Sequence, residues 1–149
     1  MNSKTIRIQR LKETAVLPRR ATDGSAGMDL TACIEHPVVL PAGGRALIST
    51  GLAMSLPGSD LAAFVFARSG LAVKHGVTLS NCVGVIDSDY RGEIKVGLVN
   101  QGTQDYTIQP GERIAQLVVM PVCTFPVEEC ESLDETGRGE GGFGSTGKN

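Results

Sequence analysis

The sequence predicts an all-β protein, and three features of its 149 residues support this prediction. Nineteen glycines and seven prolines interrupt the chain repeatedly. The segments between them are short runs rich in Val, Ile, Leu and Thr, which are typical of strands. No long stretch repeats its apolar residues with the 3.6-residue period of a helix. Many short strands joined by turns indicate a sandwich or a barrel.

Each candidate strand has a short apolar centre and turn-forming residues near its ends. In the clearest one, Ile94, Val96 and Leu98 alternate with more polar neighbours such as Lys95. One face of that strand should therefore belong to the core and the other should face solvent. The candidate strands cover residues 6–11, 29–34, 46–56, 61–67, 82–86, 93–100 and 113–122.

The segment 87–92 links two of these runs. Its Asp, Ser and Gly residues are typical of a hairpin connection that projects side chains from the end of a sheet. Asp87 directly follows the apolar run 83–86, so its carboxylate should emerge at the edge of buried structure, where it suits a general base for water. An Asx-turn residue that only shapes the loop is the alternative. Tyr90 is either a turn-packing aromatic or a platform under a ring.

The segment 137–149 differs in composition, with six glycines among its first eleven residues. It has almost nothing that could form a core, so we predict one domain over 1–136 and a flexible arm over 137–149. Phe143 is the arm's single aromatic residue, which indicates a lid that closes over something flat; a disordered tail is the alternative. The spacing G-x-x-x-x-G-K also occurs here, but Asn149 follows where a P-loop needs Ser or Thr.

Charge narrows the class of ligand. The net charge of −2 gives no overall attraction to a polyanion, and no basic cluster is visible, so we expect no nucleic-acid binding. A bound anion should be small and held by a few arginines and backbone N–H groups. Arg68, Ser69 and Gly70 follow the run 61–67 and suit phosphate oxygens. An ordinary strand-to-loop junction with a solvated arginine is the alternative.

Cysteine usage and hydropathy indicate the compartment. The four cysteines show no C-x-x-C spacing and the two histidines match no usual zinc-ligand pattern. We therefore expect the cysteines to be buried or otherwise ordinary thiols that bind no metal. No stretch approaches the ~18 apolar residues of a transmembrane helix, and the N-terminal segment lacks a signal-peptide core. These features predict a cytoplasmic protein with no membrane association.

Five segments, in order, resemble the five motifs of the trimeric dUTPase family. Two departures from the family pattern are small: Ala67 stands where Pro is common, and Met28 where Tyr or Leu is common. Neither departure removes a reacting group. The five segments are AGMDL (26–30), ARSGL (67–71), GVIDSDYRG (84–92), GERIAQL (111–117) and RGEGGFGSTG (138–147).

The resemblance implies a fold, an assembly and a reaction. The fold would be a distorted jelly roll of the β-clip type, assembled as a homotrimer whose active sites are built from more than one chain and closed by the C-terminal arm. The reaction would be hydrolysis of dUTP to dUMP and pyrophosphate with Mg2+ as cofactor. Such an enzyme limits uracil incorporation into DNA and supplies dUMP for dTMP synthesis.

The resemblance also implies roles for individual residues. Asp87 would orient and deprotonate the water that attacks the α-phosphate, Gln116 would hydrogen-bond near that phosphate, and Asp29 would help to hold Mg2+ through metal-bound water. The remaining expected contacts are all with the substrate. They are Arg68, Ser69, Gly70, Asn81, Gly84, Val85, Ile86, Tyr90, Ile94, Lys95, Arg138, Phe143, Gly144, Ser145 and Thr146.

Specificity would come from three kinds of contact: with the base edge, with the sugar and with the face of the base. Backbone groups of the hairpin 84–96, with the Asn81 side chain, would imitate a base-pairing partner for uracil, and cytosine would reverse a donor and an acceptor. Tyr90 would pack against the deoxyribose and leave no room for a 2′-hydroxyl. Phe143 would stack over the uracil as the arm orders.

Two other functions remain compatible with the sequence. A dCTP deaminase shares this fold and binds a related nucleotide, although the 87–90 pattern and the complete arm fit phosphate hydrolysis better. A nucleotide-binding trimer without turnover is the second alternative, and the intact Asp87, Gln116 and Arg138 argue against it.

Overall fold

The computed structural model describes residues 5–145. Within this range the chain forms eleven β-strands and one short helix, α1 (Ser69–His75), so the predicted β protein is confirmed with one helical addition. The strands, in chain order, are β1 (Arg7–Arg10), β2 (Met28–Thr31), β3 (Val38–Leu40), β4 (Arg45–Ser49), β5 (Leu52–Ser55), β6 (Leu61–Phe66), β7 (Val77–Leu79), β8 (Gly84–Ile86), β9 (Lys95–Asn100), β10 (Tyr106–Ile108) and β11 (Arg113–Pro121).

The predicted strand 46–56 is wrong as a single element, because the chain breaks there into β4 and β5. Gly51 lies at the break with a φ of 66°, a left-handed conformation that glycine adopts without steric cost. A Cβ at this position would lie 2.8 Å from the sulfur of Cys33. The break lets β4 pair with β9 while β5 pairs with β1. The other six predicted runs each contain one strand.

Three strands and the helix were not predicted because each is too short to show a period. Strands β3, β7 and β10 have three residues each, and α1 has seven. The helix ends at Gly76, whose φ is 71° and whose N–H bonds the carbonyls of Ala72 and Leu71. A Cβ on Gly76 would lie 2.8 Å from the Cα of Gly102. Only a glycine therefore fits this turn.

The strands described form four antiparallel sheets. The larger two have the orders β2-β11-β6-β8 and β4-β9-β7, and the smaller two are β1-β5 and β10-β3. The predicted alternation in β9 is confirmed, since Ile94, Val96 and Leu98 are at most 2% exposed and Lys95 is exposed. Burying each such aliphatic side chain contributes about 1.5–3 kcal/mol to folding.

The predicted hairpin over 87–92 is wrong in its pairing. Strand β8 pairs with β6, whereas β9 lies between β4 and β7, so the two arms belong to different sheets. Strands β8 and β9 each form hydrogen bonds with other strands, and residues 87–92 cross from one sheet to the other. The arms are consequently splayed, and a cavity opens between them.

The C-terminal part of the chain leaves the sheets after β11. Residues 123–140 are all exposed, including Phe125 at 81% and Val127 at 100%. The division into a domain over 1–136 and an arm over 137–149 stays a prediction. No helix within residues 5–145 is both long and apolar enough to cross a membrane.

Candidate functional site

A cavity of about 490 Å3 lies between the splayed arms, and we call it the loop cavity. Its lining includes eight residues that the sequence predicted as substrate contacts or as the base. Sequence reasoning missed other lining residues: Leu47, which comes from a strand that only the fold brings here, and Glu93 and Gly97, which neighbour predicted contacts but carry no chemical signal of their own. The eight predicted residues are Asn81, Gly84, Val85, Ile86, Asp87, Tyr90, Ile94 and Lys95.

The loop cavity has backbone groups along its walls that no described strand pairs with. Strand β8 is an edge strand whose ladder partner is β6 alone. On the opposite wall β7 ends at Leu79, and the bond from Ser80 N to Gly97 O, at 2.9 Å, extends that contact by one residue. The backbone of residues 95–96 therefore faces the cavity on that side without a strand. Such groups can pair with the edge of a planar ligand.

Asp87 lies at the mouth of the loop cavity and is exposed. Its carbonyl accepts a hydrogen bond from the N–H of Tyr90 at 3.1 Å, which closes the turn. Asp87 can therefore shape the turn and also serve the cavity, because its backbone carbonyl closes the turn and its carboxylate remains available. The sequence predicted that the Asp87 carboxylate would lie at the edge of buried structure, but the residue is exposed in this single chain.

Tyr90 is held by its own loop. Its hydroxyl donates to the carbonyl of Glu93 at 3.0 Å, and 46% of the residue is exposed. A Cβ on Gly92 would lie 2.6 Å from Tyr90 Cζ, so the phenol ring occupies space that only a glycine leaves open. The ring thus forms one wall of the loop cavity in a fixed position.

Glu93 joins this loop to the break between β4 and β5. Its Oε1 accepts hydrogen bonds from the hydroxyl of Ser49 and from the N–H of Gly51, the latter at 3.0 Å. Its Oε2 lies 3.7 Å from Lys95 Nζ. The hydrogen bond from Ser49 is the main cause that holds the pKa of Glu93 below its ordinary value; burial opposes this, and Gly51 and Lys95 add to it.

We expect Glu93 to make stability fall in acid. A lowered folded-state pKa contributes stability that is present above the ordinary value of about 4.5 and is lost as the pH falls through the folded-state pKa. Glu93→Gln should therefore lose less free energy of unfolding than the parent between neutral pH and about pH 3.5 in urea titrations. Glu35→Gln, at an exposed carboxylate, should lose as much as the parent. Equal losses in all three proteins would contradict this role.

A second cavity, of about 330 Å3, lies beside the start of α1, and we call it the arginine cavity. Asp29 is its carboxylate, with Oδ1 2.9 Å from Arg68 Nε and Oδ2 3.2 Å from Arg113 Nη1. Arg68 also donates to the carbonyl of Arg113 at 3.3 Å. The carboxylate thereby orients both guanidinium groups, and their remaining N–H donors suit phosphate oxygens.

Arg113 was missed because alternation along β11 places it on the wrong face. The register between β11 and β2 shifts between Arg113 and Ala115, which marks a β-bulge. The bulge brings Arg113 into the same cavity as Gln116, although the two positions differ by three and would lie on opposite faces of a regular strand. No pattern in the sequence signals that bulge.

Gln116 is oriented by the segment that precedes Arg68. Its Nε2 donates to the carbonyl of Ala67 at 3.0 Å, which leaves a second N–H free. Gly27 packs directly against this amide, since a Cβ there would lie 3.3 Å from Gln116 Cδ and closer still to Oε1. Gly27 therefore leaves the space that the Gln116 amide occupies, a role that the sequence did not indicate.

The predicted phosphate trio lies where a strand gives way to a helix, not to a loop. Arg68 is the N-cap of α1, and Ser69 and Gly70 are in its first turn. N–H groups in a first helical turn have no partner within the helix. Ser69 lines the arginine cavity with Arg68, while the space around Gly70 is open.

The two cavities lie at different strands of one sheet. Gln116 is opposite both Asp29 and Phe66, so these three side chains share a face. Gly84 and Val85, at the loop cavity, belong to the edge strand β8, and β6 lies between that strand and β11. A single copy of the chain therefore presents two separate half-sites.

Distance separates the half-sites as well. Ile86, which precedes Asp87, pairs with Ala63, whereas Gln116 pairs with Phe66. Three residues along β6 and two strand spacings across the sheet place Ile86 and Gln116 roughly 14 Å apart. Both cannot reach one phosphorus atom from the same chain.

The arm residues lie away from both cavities. Phe143 is fully exposed, and neither Gly144 nor Ser145 lines a cavity. Arg138 donates from Nε to the carbonyl of Gly141 at 2.8 Å, a bond within the arm itself. Thr146 lies outside the described residues.

The donor set of the arginine cavity is compatible with Mg2+. This ion prefers oxygen ligands and is usually held by one or two carboxylates together with substrate phosphates. Each oxygen of Asp29 accepts one guanidinium bond and has a further lone pair, with which it can accept a hydrogen bond from a metal-bound water. Among residues 5–145, no three His, Cys, Asp or Glu side chains cluster as a metal site by themselves.

Comparisons with known proteins agree on one family. A family model described as dUTPase matches residues 13–147. The deoxyuridine 5'-triphosphate nucleotidohydrolase of Desulfitobacterium hafniense (strain DSM 10664 / DCB-2) is 50% identical over 149 residues, covering 99% of each chain. The structure of the Staphylococcus bacteriophage 80alpha dUTPase with dUPNHPP matches with a TM-score of 0.88 at 27% identity, over 97% of this chain and 99% of that one.

One further structural match concerns the metal. A mutant dUTPase from phage phi11 of S. aureus, whose structure reveals the coordination of a structural Mg(II) ion, matches with a TM-score of 0.77 at 24% identity. The match covers 86% of this chain and 97% of that one.

Proposed function

The chain belongs to the dUTPase family and hydrolyses dUTP to dUMP and pyrophosphate, and from this premise we propose that the reaction takes place between copies of the chain. The observation that carries this proposal is the distance between the two half-sites, since Ile86, which precedes Asp87, and Gln116 lie roughly 14 Å apart in one copy. Asp87 and Gln116 can therefore reach the same phosphate of a nucleoside triphosphate only if the loop cavity of one copy meets the arginine cavity of another.

The loop cavity would bind the nucleoside. The unpaired backbone of Gly84 to Ile86 and of residues 95–96 would pair with uracil, helped by the side chain of Asn81. Cytosine reverses a donor and an acceptor, and each buried group left unpaired costs about 1–3 kcal/mol. Tyr90 would pack against the deoxyribose at the mouth of the cavity.

The arginine cavity would bind the triphosphate. Arg68 and Arg113 are already oriented by Asp29, so their free N–H donors need little rearrangement to meet phosphate oxygens. Ser69, Gly70 and the free N–H of Gln116 would add hydrogen bonds. Asp29 would hold Mg2+ through a bound water, and Mg2+ would neutralise phosphate charge and favour an extended, in-line arrangement.

Asp87 would act as the general base. Its carboxylate would accept a proton from a water whose oxygen forms a bond to the α-phosphorus. The bond from that phosphorus to the oxygen bridging to the β-phosphate would break, and pyrophosphate would leave with the electron pair. No covalent intermediate with the chain is needed. Enclosure by a neighbouring copy would give this exposed aspartate the water-poor surroundings that its own chain lacks.

A homotrimeric, distorted jelly-roll assembly fits the surface of the large sheet. On the face opposite the core, Phe64, Phe66, Val118 and Met120 are only partly buried, and Val85 beside them is 61% exposed. Apolar side chains on both faces of a sheet indicate that both become covered. The arm over 137–149 would then close a site formed by its neighbours, with Arg138, Ser145 and Thr146 on the phosphates and Phe143 and Gly144 at the base.

We also propose a cytoplasmic location. All four cysteines lie within the described residues as free thiols, which suits a reducing compartment. There the enzyme would keep dUTP low, limit uracil incorporation into DNA and supply dUMP for dTMP synthesis.

Incubation with single nucleotides tests the substrate and the cleavage position together. We expect pyrophosphate from dUTP with Mg2+, and none from UTP, dCTP or dTTP, because the loop cavity reads both base and sugar. Ammonia released from dCTP would indicate a deaminase instead. Nucleotide binding without any product would indicate a binding protein.

A further inference from the structure

The wall of the loop cavity that would face the sugar is not made by Tyr90 alone. We infer that Gly92 and Glu93 determine selectivity for deoxyribose by fixing the position of the Tyr90 ring, Gly92 by leaving it room and Glu93 by anchoring its hydrogen-bond acceptor. This inference rests on the proposed role of Tyr90 as the residue that packs against the sugar.

Gly92 is needed for its missing side chain, not for its backbone conformation. The φ of Gly92 is not positive, so its backbone conformation is one that alanine can adopt. A Cβ there would lie 2.6 Å from Tyr90 Cζ and 3.0 Å from Cε2, and closer still to the hydroxyl oxygen. These atoms are the far end of a half-exposed side chain, so the ring would swing away and the main chain would stay. The fold should survive while the wall of the cavity moves.

Glu93 supplies the other constraint. Its carbonyl accepts the Tyr90 hydroxyl at 3.0 Å, while its carboxylate is tied to Ser49 and Gly51 at the break between β4 and β5. That break packs into the core through Cys33, so the acceptor of the Tyr90 hydroxyl is fixed to the rigid part of the molecule. Glu93 is therefore a positioning residue that acts through Tyr90.

Fixing the ring matters because a 2′-hydroxyl is small. Exclusion of one extra hydroxyl by bulk alone needs a wall that does not yield, and pockets that can yield discriminate such pairs weakly. A Tyr90 side chain with 46% exposure and no anchor would have the freedom to turn aside for a ribose. The hydrogen bond to Glu93 and the empty space at Gly92 together remove that freedom.

The test is the ratio of kcat/KM for dUTP to kcat/KM for UTP. We expect Gly92→Ala to lower this ratio by at least about 10-fold, chiefly by raising activity on UTP, with the thermal midpoint close to that of the parent. Gly24→Ala is the matched control, because a Cβ there meets nothing within 4 Å and its φ is not positive either. Its ratio should not change.

Glu93 provides a second, independent pair of variants. Glu93→Ala should lower the ratio, whereas Glu93→Gln should largely restore it, since an amide oxygen can accept both the Ser49 and Gly51 hydrogen bonds. A purely structural role would reduce activity on both nucleotides equally and leave the ratio unchanged. If Gly92→Ala does not fold, the Glu93 pair decides the question.

Tyr90→Ala separates failure of the inference from failure of the role on which it rests. A lower ratio in Tyr90→Ala with an unchanged ratio in Gly92→Ala and Glu93→Ala would overturn the inference and leave the role of Tyr90 standing. An unchanged ratio in Tyr90→Ala would overturn both. Hydrolysis of dUTP by the parent protein is measured in the same series, so loss of the activity itself would be seen separately.

Discussion

Replacement of Asp87 by asparagine should lower the turnover of dUTP by roughly 10²–10⁴-fold while the nucleotide still binds, because general-base catalysis contributes about that factor. The amide has nearly the same shape as the carboxylate but cannot accept the proton of the attacking water. The backbone bond from Tyr90 N to Asp87 O, at 3.1 Å, does not involve the side chain, so the turn should persist.

The measurement compares pyrophosphate release with binding of a non-hydrolysable analogue such as dUPNHPP by calorimetry. Asp89→Asn is the matched control, since Asp89 is exposed in the same loop but does not line the loop cavity. The control should keep nearly full turnover and rules out a general effect of removing negative charge from the loop. Near-normal turnover in Asp87→Asn would remove Asp87 from the mechanism.

Deletion of residues 137–149 should leave a folded assembly that turns over dUTP more than about 100-fold more slowly, since poorly enclosed and poorly positioned phosphates lose that much or more. Folding should be unaffected because the last described strand ends at Pro121 and the deleted residues within the described range are exposed or only partly buried. Size-exclusion chromatography, thermal melting and pyrophosphate release measure the assembly, the fold and the reaction separately. Full activity of the shortened protein would refute the lid.

Mixed assemblies extend this test to the origin of each part of the site. A shortened chain supplies an intact Asp87, and an Asp87→Asn chain supplies an intact arm. If an arm closes over the Asp87 of another copy, co-refolding the two inactive proteins should restore a fraction of the activity. Mixtures that stay as inactive as their components would show that arm and base must come from one chain.

The strand pattern and the chemistry of single residues could be predicted, because both are local properties. Strict alternation over 93–100 marked its buried face correctly, and glycine and proline marked most of the turns. The types of side chain at Arg68 and Asp87 suggested phosphate binding and a base without any knowledge of the fold, whereas the role of Gln116 was implied only by the family resemblance; these roles stay predictions. The five motifs identified the family because their order and spacing together are specific.

Elements shorter than one period could not be predicted. Strands β3, β7 and β10 have three residues each, which is too few for an alternation to differ from chance. Gly51 looked like one more residue in a continuous apolar run over 46–56, and only its left-handed φ of 66° divides that run between two sheets. The position of such a break depends on which strands pair with each other, and neighbouring residues in the sequence do not indicate those partners.

The sequence by itself determined that this is a β protein of the dUTPase family and predicted which chemical groups would carry its reaction, since alternation, turn residues and the residues of each motif are read directly along the chain. Only the tertiary structure decided that the loop cavity and the arginine cavity lie at different strands of one sheet, that a bulge brings Arg113 beside Gln116, and that Glu93 ties the Tyr90 loop to Ser49 and Gly51. The physical reason is that strand partners and register are chosen by packing among residues far apart in the chain, and a shift of one position moves a side chain to the other face.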